Sequence, residues 1–169
     1  MKHLRILLLV LICCFVTAWA MQEAPKPSKV EQRMFSVKGD QPWTNTQLRI
    51  RPQDRVTLTA SGQVRFSKGD ALSSVGPDGY AGEHGPYNDA WPGDYLQCDD
   101  PLPDANHAAL IVEVNNEVFV AGTRKIFTGK EGILVLGIND CSFTQEQVFY
   151  NTGQFQVIVK IERGAFKKK

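Results

Sequence analysis

Residues 154–161 read Gln-Phe-Gln-Val-Ile-Val-Lys-Ile, and this stretch decides the fold class. Every second residue from Phe155 to Ile161 is apolar, whereas the residues between them are mostly polar. A period of two residues is the spacing of side chains along one face of a β-strand. The stretch is therefore predicted to be a strand that buries one face and exposes the other.

Earlier parts of the chain show the same alternation. Leu48 and Ile50 alternate with polar residues, and a second alternating run extends from Val56 to Ser61. Pro52-Gln53-Asp54 lies between the two runs and is typical of a turn. These residues predict two half-buried strands joined as a hairpin.

Two further segments indicate strands, and one long segment does not. Asn115-Asn116 separates the apolar runs 109–114 and 117–121, which favours a tight hairpin turn. Residues 133–138 are apolar throughout, as is typical of a central strand buried on both faces. Residues 66–106, in contrast, are rich in Gly, Pro, Asp and Tyr, and a connection of that length usually carries a function.

Together these patterns predict an all-β domain. No stretch keeps a helical period over three turns, and the short strands are separated by Gly, Pro, Asn and Asp. This arrangement is typical of a β-sandwich or jelly roll, here with a long irregular loop at one end. We expect the sandwich to span residues 34–163, with a flexible leader at 21–33 and a basic tail at 164–169.

Residues 1–20 have the organisation of a cleavable signal peptide. Lys2 and Arg5 precede an apolar run at 6–16, and Ala18-Trp19-Ala20 offers a cleavage site. The run is too short to span a bilayer, so we expect no transmembrane segment in the mature chain. The protein is predicted to be exported, and thus periplasmic or secreted; a lipoprotein signal is the alternative, because the apolar run contains two cysteines.

The charge balance argues against a nucleic-acid partner. The chain has 19 Lys and Arg against 18 Asp and Glu, a formal net charge of +1. Nucleic acids and anionic membranes select strongly basic proteins. The longest basic run is Lys167-Lys168-Lys169, and a solvated chain end explains it.

Cys98 and Cys141 are the cysteines that remain after residue 20. An even count in an exported protein favours one disulfide, here between Cys98 and Cys141. Two unpaired buried thiols, or a thiol pair on a metal, are the alternatives.

The chain is predicted not to be an enzyme. It has no G-x-S-x-G, H-E-x-x-H or P-loop sequence. His84 and His107 are its histidines after residue 20, and we expect both to be surface or loop residues rather than catalysts. Loop acids such as Asp99 and Asp100 leave an exported glycoside hydrolase as an alternative, but sequence spacing does not pair them in space.

Oxygen-bearing side chains follow one predicted strand and precede the next. Asp140 comes two residues after the apolar run 133–138, and Asn151 comes just before the final strand. Ca²⁺ takes six to eight oxygen ligands from carboxylates, amides and carbonyls. The spacing is thus compatible with a calcium site.

A series of short motifs occurs in order along the chain: Trp43-Thr44-Asn45-Thr46, Asp54-Arg55-Val56-Thr57-Leu58, Ala60-Ser61-Gly62, Gly76-Pro77-Asp78-Gly79, His107-Ala108-Ala109-Leu110-Ile111, Gly137-Ile138-Asn139-Asp140 and Asn151-Thr152-Gly153-Gln154-Phe155-Gln156-Val157. In these motifs the chain from about Phe35 to Ile161 resembles the calcium-dependent galactophilic lectins of the PA-IL type. The resemblance implies a galactose-binding-domain-like β-sandwich.

The resemblance also implies a set of calcium ligands. The matching positions are the main-chain carbonyls of Phe66 and Thr144, the carboxylate of Asp140 and the amide of Asn151. This chain departs from the family at Tyr150, where the family has a second asparagine, and its preceding loop is longer. The departure motivates an alternative, a structural or adhesion module that has lost sugar binding.

In the same family, sugar hydroxyls bind the calcium directly. The resemblance places the sugar-contacting positions at His84, at Tyr87 or Asn88, and at Asn151. It implies an exported, non-catalytic, calcium-dependent carbohydrate-binding protein whose partners are glycans or glycoconjugates, with galactose-type sugars as the first expectation. Lectins gain avidity by multivalency, so a homo-oligomer is a further expectation without an interface signature in the sequence.

Overall fold

The computed structural model describes residues 29–66, 74–80, 100–140 and 151–166. The elements in these ranges are β-strands. In the described part of the chain no helix is long and apolar enough to cross a membrane. The strands are β1 (Val30–Lys38), β2 (Trp43–Ile50), β3 (Arg55–Arg65), β4 (Ser74–Val75), β5 (Leu110–Val114), β6 (Glu117–Val120), β7 (Arg124–Phe127), β8 (Gly132–Ile138) and β9 (Thr152–Glu162).

Two antiparallel sheets form a β-sandwich, which confirms the predicted all-β class. One sheet has the order β1-β9-β3-β4, and β7 also pairs with β3. The other has the order β2-β8-β5-β6. Buried apolar side chains from both sheets make a core, whose largest fully buried members are Phe155, Ile50, Leu58, Leu110, Leu134, Leu136 and Ile161.

The strand that begins at Thr152, β9, has the predicted pattern and a central position. Phe155, Val157, Val159 and Ile161 are fully buried, because β9 lies between β1 and β3 with one face on the core. The whole of β3 pairs with it, from Arg55 opposite Glu162 to Arg65 opposite Thr152.

Two other predicted elements are also present. Asn115 and Asn116 form the turn between β5 and β6, with φ of 52° and 64°, the left-handed values that a type I′ hairpin needs. The apolar strand β8 is central, between β2 and β5. Its face with Leu134 and Leu136 is fully buried, whereas the opposite face is only partly covered at Ile133 and Val135.

The predicted hairpin around Pro52-Gln53-Asp54 is wrong. β2 pairs with β8 in one sheet, and β3 pairs with β9 in the other. The turn therefore carries the chain from one sheet to the other. Asp54 stabilises this corner, because its nearly buried carboxylate accepts hydrogen bonds from the Arg51 N–H and the Arg163 guanidinium at 3.0 and 2.8 Å.

Residues on both sides of the predicted range 34–163 form hydrogen bonds with the sandwich. β1 begins at Val30, inside the expected leader, and its residues pair with β9. This edge strand is held by backbone hydrogen bonds and buries only Val37, so its side chains give a weak hydropathy signal. At the other end, the Gly164 N–H donates to Asp54 at 3.0 Å and the Phe166 N–H donates to the Gln53 carbonyl at 3.1 Å.

Gly137 in β8 gives a test of the packing between β2 and β8. A Cβ there would lie 2.5 Å from the Trp43 ring and 2.8 Å from the Pro42 carbonyl oxygen. We expect Gly137→Ala to lower the free energy of unfolding by about 1–3 kcal/mol through overpacking. Gly76→Ala is the matched control, because a Cβ there meets nothing within 4 Å. Equal urea denaturation midpoints for the two variants would contradict this packing.

Candidate metal centre

The candidate site lies at one end of the sandwich, where strands of both sheets end. β8 ends at Ile138, and Asn139 and Asp140 follow it. In the other sheet β9 begins at Thr152, directly after Asn151, and its first residue pairs with Arg65, the last residue of β3. Phe66 therefore follows β3 at the same end as Asn151.

Asp140 and Asn151, two of the predicted calcium ligands, are in contact. The Asn151 amide donates a hydrogen bond to Asp140 Oδ2. Both residues are buried, with 8% and 3% of their surface exposed. A buried carboxylate and a buried amide thus meet at this end of the sandwich.

His107 fills the space between Asp140 and Phe66. Its Nε2 lies 3.6 Å from Asp140 Oδ1, and its ring packs edge-on against the Phe66 ring with centroids 4.8 Å apart. The side chain of His107 is only 10% exposed. His107 lies outside the strands, as a surface or loop residue would, but its ring is enclosed by the residues that follow β3 and β8.

Asp100 completes a compact cluster with His107 and Asp140. His107 Nδ1 lies 3.0 and 3.2 Å from the two Asp100 carboxylate oxygens. The ligand atoms offered by the three residues all lie within 4.8 Å of one another, and the Asp100 side chain is 7% exposed. Because an ionised carboxylate only accepts hydrogen bonds, Nδ1 carries a proton and donates a hydrogen bond to Asp100.

The two carboxylates make His107 more basic than an ordinary histidine. Burial alone would lower the pKa of His107, since it disfavours the imidazolium form. The hydrogen bond to Asp100 and the negative charges of Asp140 and Asp100 outweigh burial, so the pKa of His107 is raised. The cluster therefore favours the positively charged form of His107 between its carboxylates.

Asn139 fixes the segment that carries Asp100 and His107 to the end of β8. This fully buried side chain accepts a hydrogen bond from the Leu102 N–H at 2.9 Å. Its NH₂ group donates to the carbonyls of Leu102 and Asn106, at 3.0 and 3.1 Å. The backbone continues the attachment, with the Ala108 N–H donating to the Asn139 carbonyl at 2.7 Å.

The turn formed by the Gly-Pro-Asp-Gly motif lies against the backbone of His107. The Tyr80 N–H donates to the His107 carbonyl at 2.8 Å. Gly79 has a φ of 76°, and a Cβ there would lie 2.7 Å from that same carbonyl oxygen, so only glycine fits. Asp78 holds the turn by accepting hydrogen bonds from the side chain and the N–H of Thr123, which lower its pKa.

Several predicted site residues lie outside the described ranges. These are the metal-ligand candidate Thr144, the sugar-contact candidates His84, Tyr87 and Asn88, and the cysteines Cys98 and Cys141. Their roles and the disulfide stay predictions. Of the predicted residues in the described ranges, Asp140 and Asn151 contact each other directly, and Phe66 is linked to them through His107.

Sequence reasoning did not connect Asp100 and His107 with Asp140. In the sequence Asp100 is one of several loop acids, and His107 belongs to a motif that precedes a predicted strand. The missing signal is the antiparallel pairing of β5 with β8, in which Leu110 lies opposite Ile138. Continuing that register beyond the strands brings His107 close to Asp140.

No protein-family model matches this chain, and no curated protein matches it. Among solved structures, it is similar to one described as the EclA N-terminal domain, a PllA-like lectin. The two share 23% sequence identity with a TM-score of 0.55, and the alignment covers 76% of this chain and 95% of that domain. This likeness shows that the chain has the fold of that lectin domain.

The donor set at the site fits a hard cation such as Ca²⁺. Asp140 provides carboxylate oxygens, and a half-turn of the Asn151 amide would present its oxygen to the same point in place of the NH₂ group. Both side chains are buried. A buried carboxylate such as that of Asp140 is stabilised by a positive charge, which a bound cation would supply.

Proposed function

We propose that this protein is an exported, calcium-dependent, carbohydrate-binding protein that is lectin-like and non-catalytic. The observation that carries the proposal is the convergence of Asp140 and Asn151 at one end of a sandwich with the fold of a lectin domain. Galactose-type sugars are the first candidates, and glycans or glycoconjugates are the partners.

The chain's own residues would each have a distinct task in binding. Asp140, Asn151 and the carbonyl oxygens of Phe66 and Thr144 would hold Ca²⁺, whose open coordination positions take sugar hydroxyls. Asn139 would keep Asp140 in place through its hydrogen bonds to Leu102. His84, with Tyr87 or Asn88, would orient the sugar.

Calcium is expected to stabilise the folded protein. A ligand that binds only the folded state adds about 2.7 kcal/mol when its concentration is about 100 times its Kd. For a domain of this size that corresponds to a rise of roughly 8 °C in the melting temperature. Differential scanning fluorimetry with Ca²⁺, and again with excess chelator, measures the rise and its reversal. No shift at millimolar Ca²⁺ would contradict the metal part of the proposal.

Sugar binding is tested separately on a glycan array, with Ca²⁺ and with chelator. We expect binding to galactose-terminated glycans in Ca²⁺ and its loss in chelator. A rise in melting temperature with Ca²⁺ but no bound glycan would favour the alternative of a structural or adhesion module on the same scaffold.

A further inference from the structure

A histidine nitrogen beside a metal-binding carboxylate is the feature of this site that calcium does not explain. Calcium in proteins takes oxygen ligands, whereas imidazole nitrogen is a common ligand of Zn²⁺ and similar divalent cations. His107 Nε2 lies 3.6 Å from Asp140 Oδ1, and both side chains are close to nine-tenths buried.

The distance between these two atoms suits a zinc ion placed between them. Zn–N and Zn–O bonds are each about 2.0–2.2 Å, so two ligands of a tetrahedral zinc ion lie about 3.4 Å apart. The observed separation of 3.6 Å is within a few tenths of an ångström of that value.

Asp100 stands where zinc sites place the partner of a histidine ligand. A histidine that binds metal through one nitrogen almost always donates the proton of the other nitrogen to a carboxylate or carbonyl. Here Nδ1 lies 3.0 Å from the Asp100 carboxylate, and this contact orients the ring so that Nε2 faces Asp140. The Phe66 ring packs against the imidazole and fixes its orientation.

We propose that His107 Nε2 and the Asp140 carboxylate bind Zn²⁺ or a similar borderline divalent cation, with Asp100 as the positioning residue for His107. The Asn151 amide, which contacts Asp140 Oδ2, is the third protein group at this point. This inference goes beyond the proposed function and does not rest on sugar binding. It predicts that the site distinguishes metals by its histidine.

The test is isothermal titration of the purified protein with Zn²⁺ alone, and separately with Ca²⁺ alone. We expect His107→Gln to weaken Zn²⁺ binding at least tenfold and to leave Ca²⁺ binding within twofold of the unmodified protein. Asp100→Asn should weaken Zn²⁺ binding by roughly ten- to a hundredfold, the usual effect of losing such a partner, without changing Ca²⁺ binding. Asp104→Asn is the matched control for Asp100→Asn, because it removes a carboxylate from an exposed position of the same segment, and it should bind Zn²⁺ like the unmodified protein.

Equal Zn²⁺ affinity in His107→Gln and the unmodified protein would overturn the inference, as would the absence of Zn²⁺ binding to the unmodified protein. Failure of Ca²⁺ to bind any of the proteins would overturn the proposed function and leave the zinc comparison unaffected. Melting temperatures without metal show whether His107→Gln folds. If His107→Gln does not fold, its titration is replaced by long-range proton–nitrogen NMR spectra of the unmodified protein. An unchanged His107 Nε2 signal on Zn²⁺ addition would then overturn the inference.

Discussion

Replacing Asp140 with asparagine is expected to abolish both the calcium-dependent gain in stability and calcium-dependent sugar binding. Asp140 is the charged member of the proposed ligand set, and Asn151 contributes only a neutral amide. A calcium ion that gives up its water needs this negative charge, because amide and carbonyl oxygens alone do not compensate for two positive charges. The gain of about 2.7 kcal/mol at 100 times the Kd should therefore vanish at the same Ca²⁺ concentration.

Asp104→Asn is the control for the Asp140 variant. This substitution makes the same change of charge, but on an exposed side chain of the segment that carries Asp100. We expect it to keep the full rise in melting temperature with Ca²⁺, together with glycan binding. If Asp140→Asn also kept the rise, the calcium would have to bind elsewhere on the chain.

Several strands could be predicted because they carry their burial pattern in their own side chains. β9 is the clearest case, since Phe155, Val157 and Val159 are apolar in the sequence and fully buried in the fold. The Asn115-Asn116 turn is equally local, because its two left-handed residues decide how the chain reverses. Such features need no knowledge of the rest of the chain.

The pairing of the strands could not be predicted in the same way. Alternation in β2 and β3 shows that each has a buried face, but the two faces point into the core from opposite sheets. Nothing in Pro52-Gln53-Asp54 distinguishes a hairpin from a crossing between sheets. The difference depends on β8 and β9, which lie far along the chain and pair with β2 and β3.

Only part of the candidate site could be predicted, because the rest of it also depends on strands that pair over a long distance in the chain. Asp140 and Asn151 lie at the two ends of the connection between β8 and β9, so their proximity follows from strands that are consecutive in the chain. Asp100 and His107 come from a different connection and reach Asp140 only because β5 pairs with β8. Their role depends on burial and on distances of 3–4 Å, which sequence spacing does not provide.

Asn139 has the largest expected effect on stability at this site. Its side chain satisfies the Leu102 N–H and the carbonyls of Leu102 and Asn106, and it is fully buried. Asn139→Ala leaves these three backbone groups without their partner, and each unsatisfied buried group costs about 1–3 kcal/mol. We expect a loss of about 3 kcal/mol or more, which corresponds to a fall of about 10 °C in melting temperature.

Two further variants separate the contribution of the Asn139 hydrogen bonds from that of its volume. Asn139→Asp keeps the size and the acceptor for the Leu102 N–H, but it turns the two donors into an oxygen that faces the Leu102 and Asn106 carbonyls. It should therefore be at least as destabilising as Asn139→Ala. Asn106→Ala loses one exposed hydrogen bond, to the Asp78 carbonyl, and should cost about 1 kcal/mol or less. Urea denaturation ranks the three variants. Asn139→Asp removes the two hydrogen-bond donors and keeps the volume of the side chain. If this variant were as stable as the unmodified protein, the volume of Asn139 would matter more than its donors.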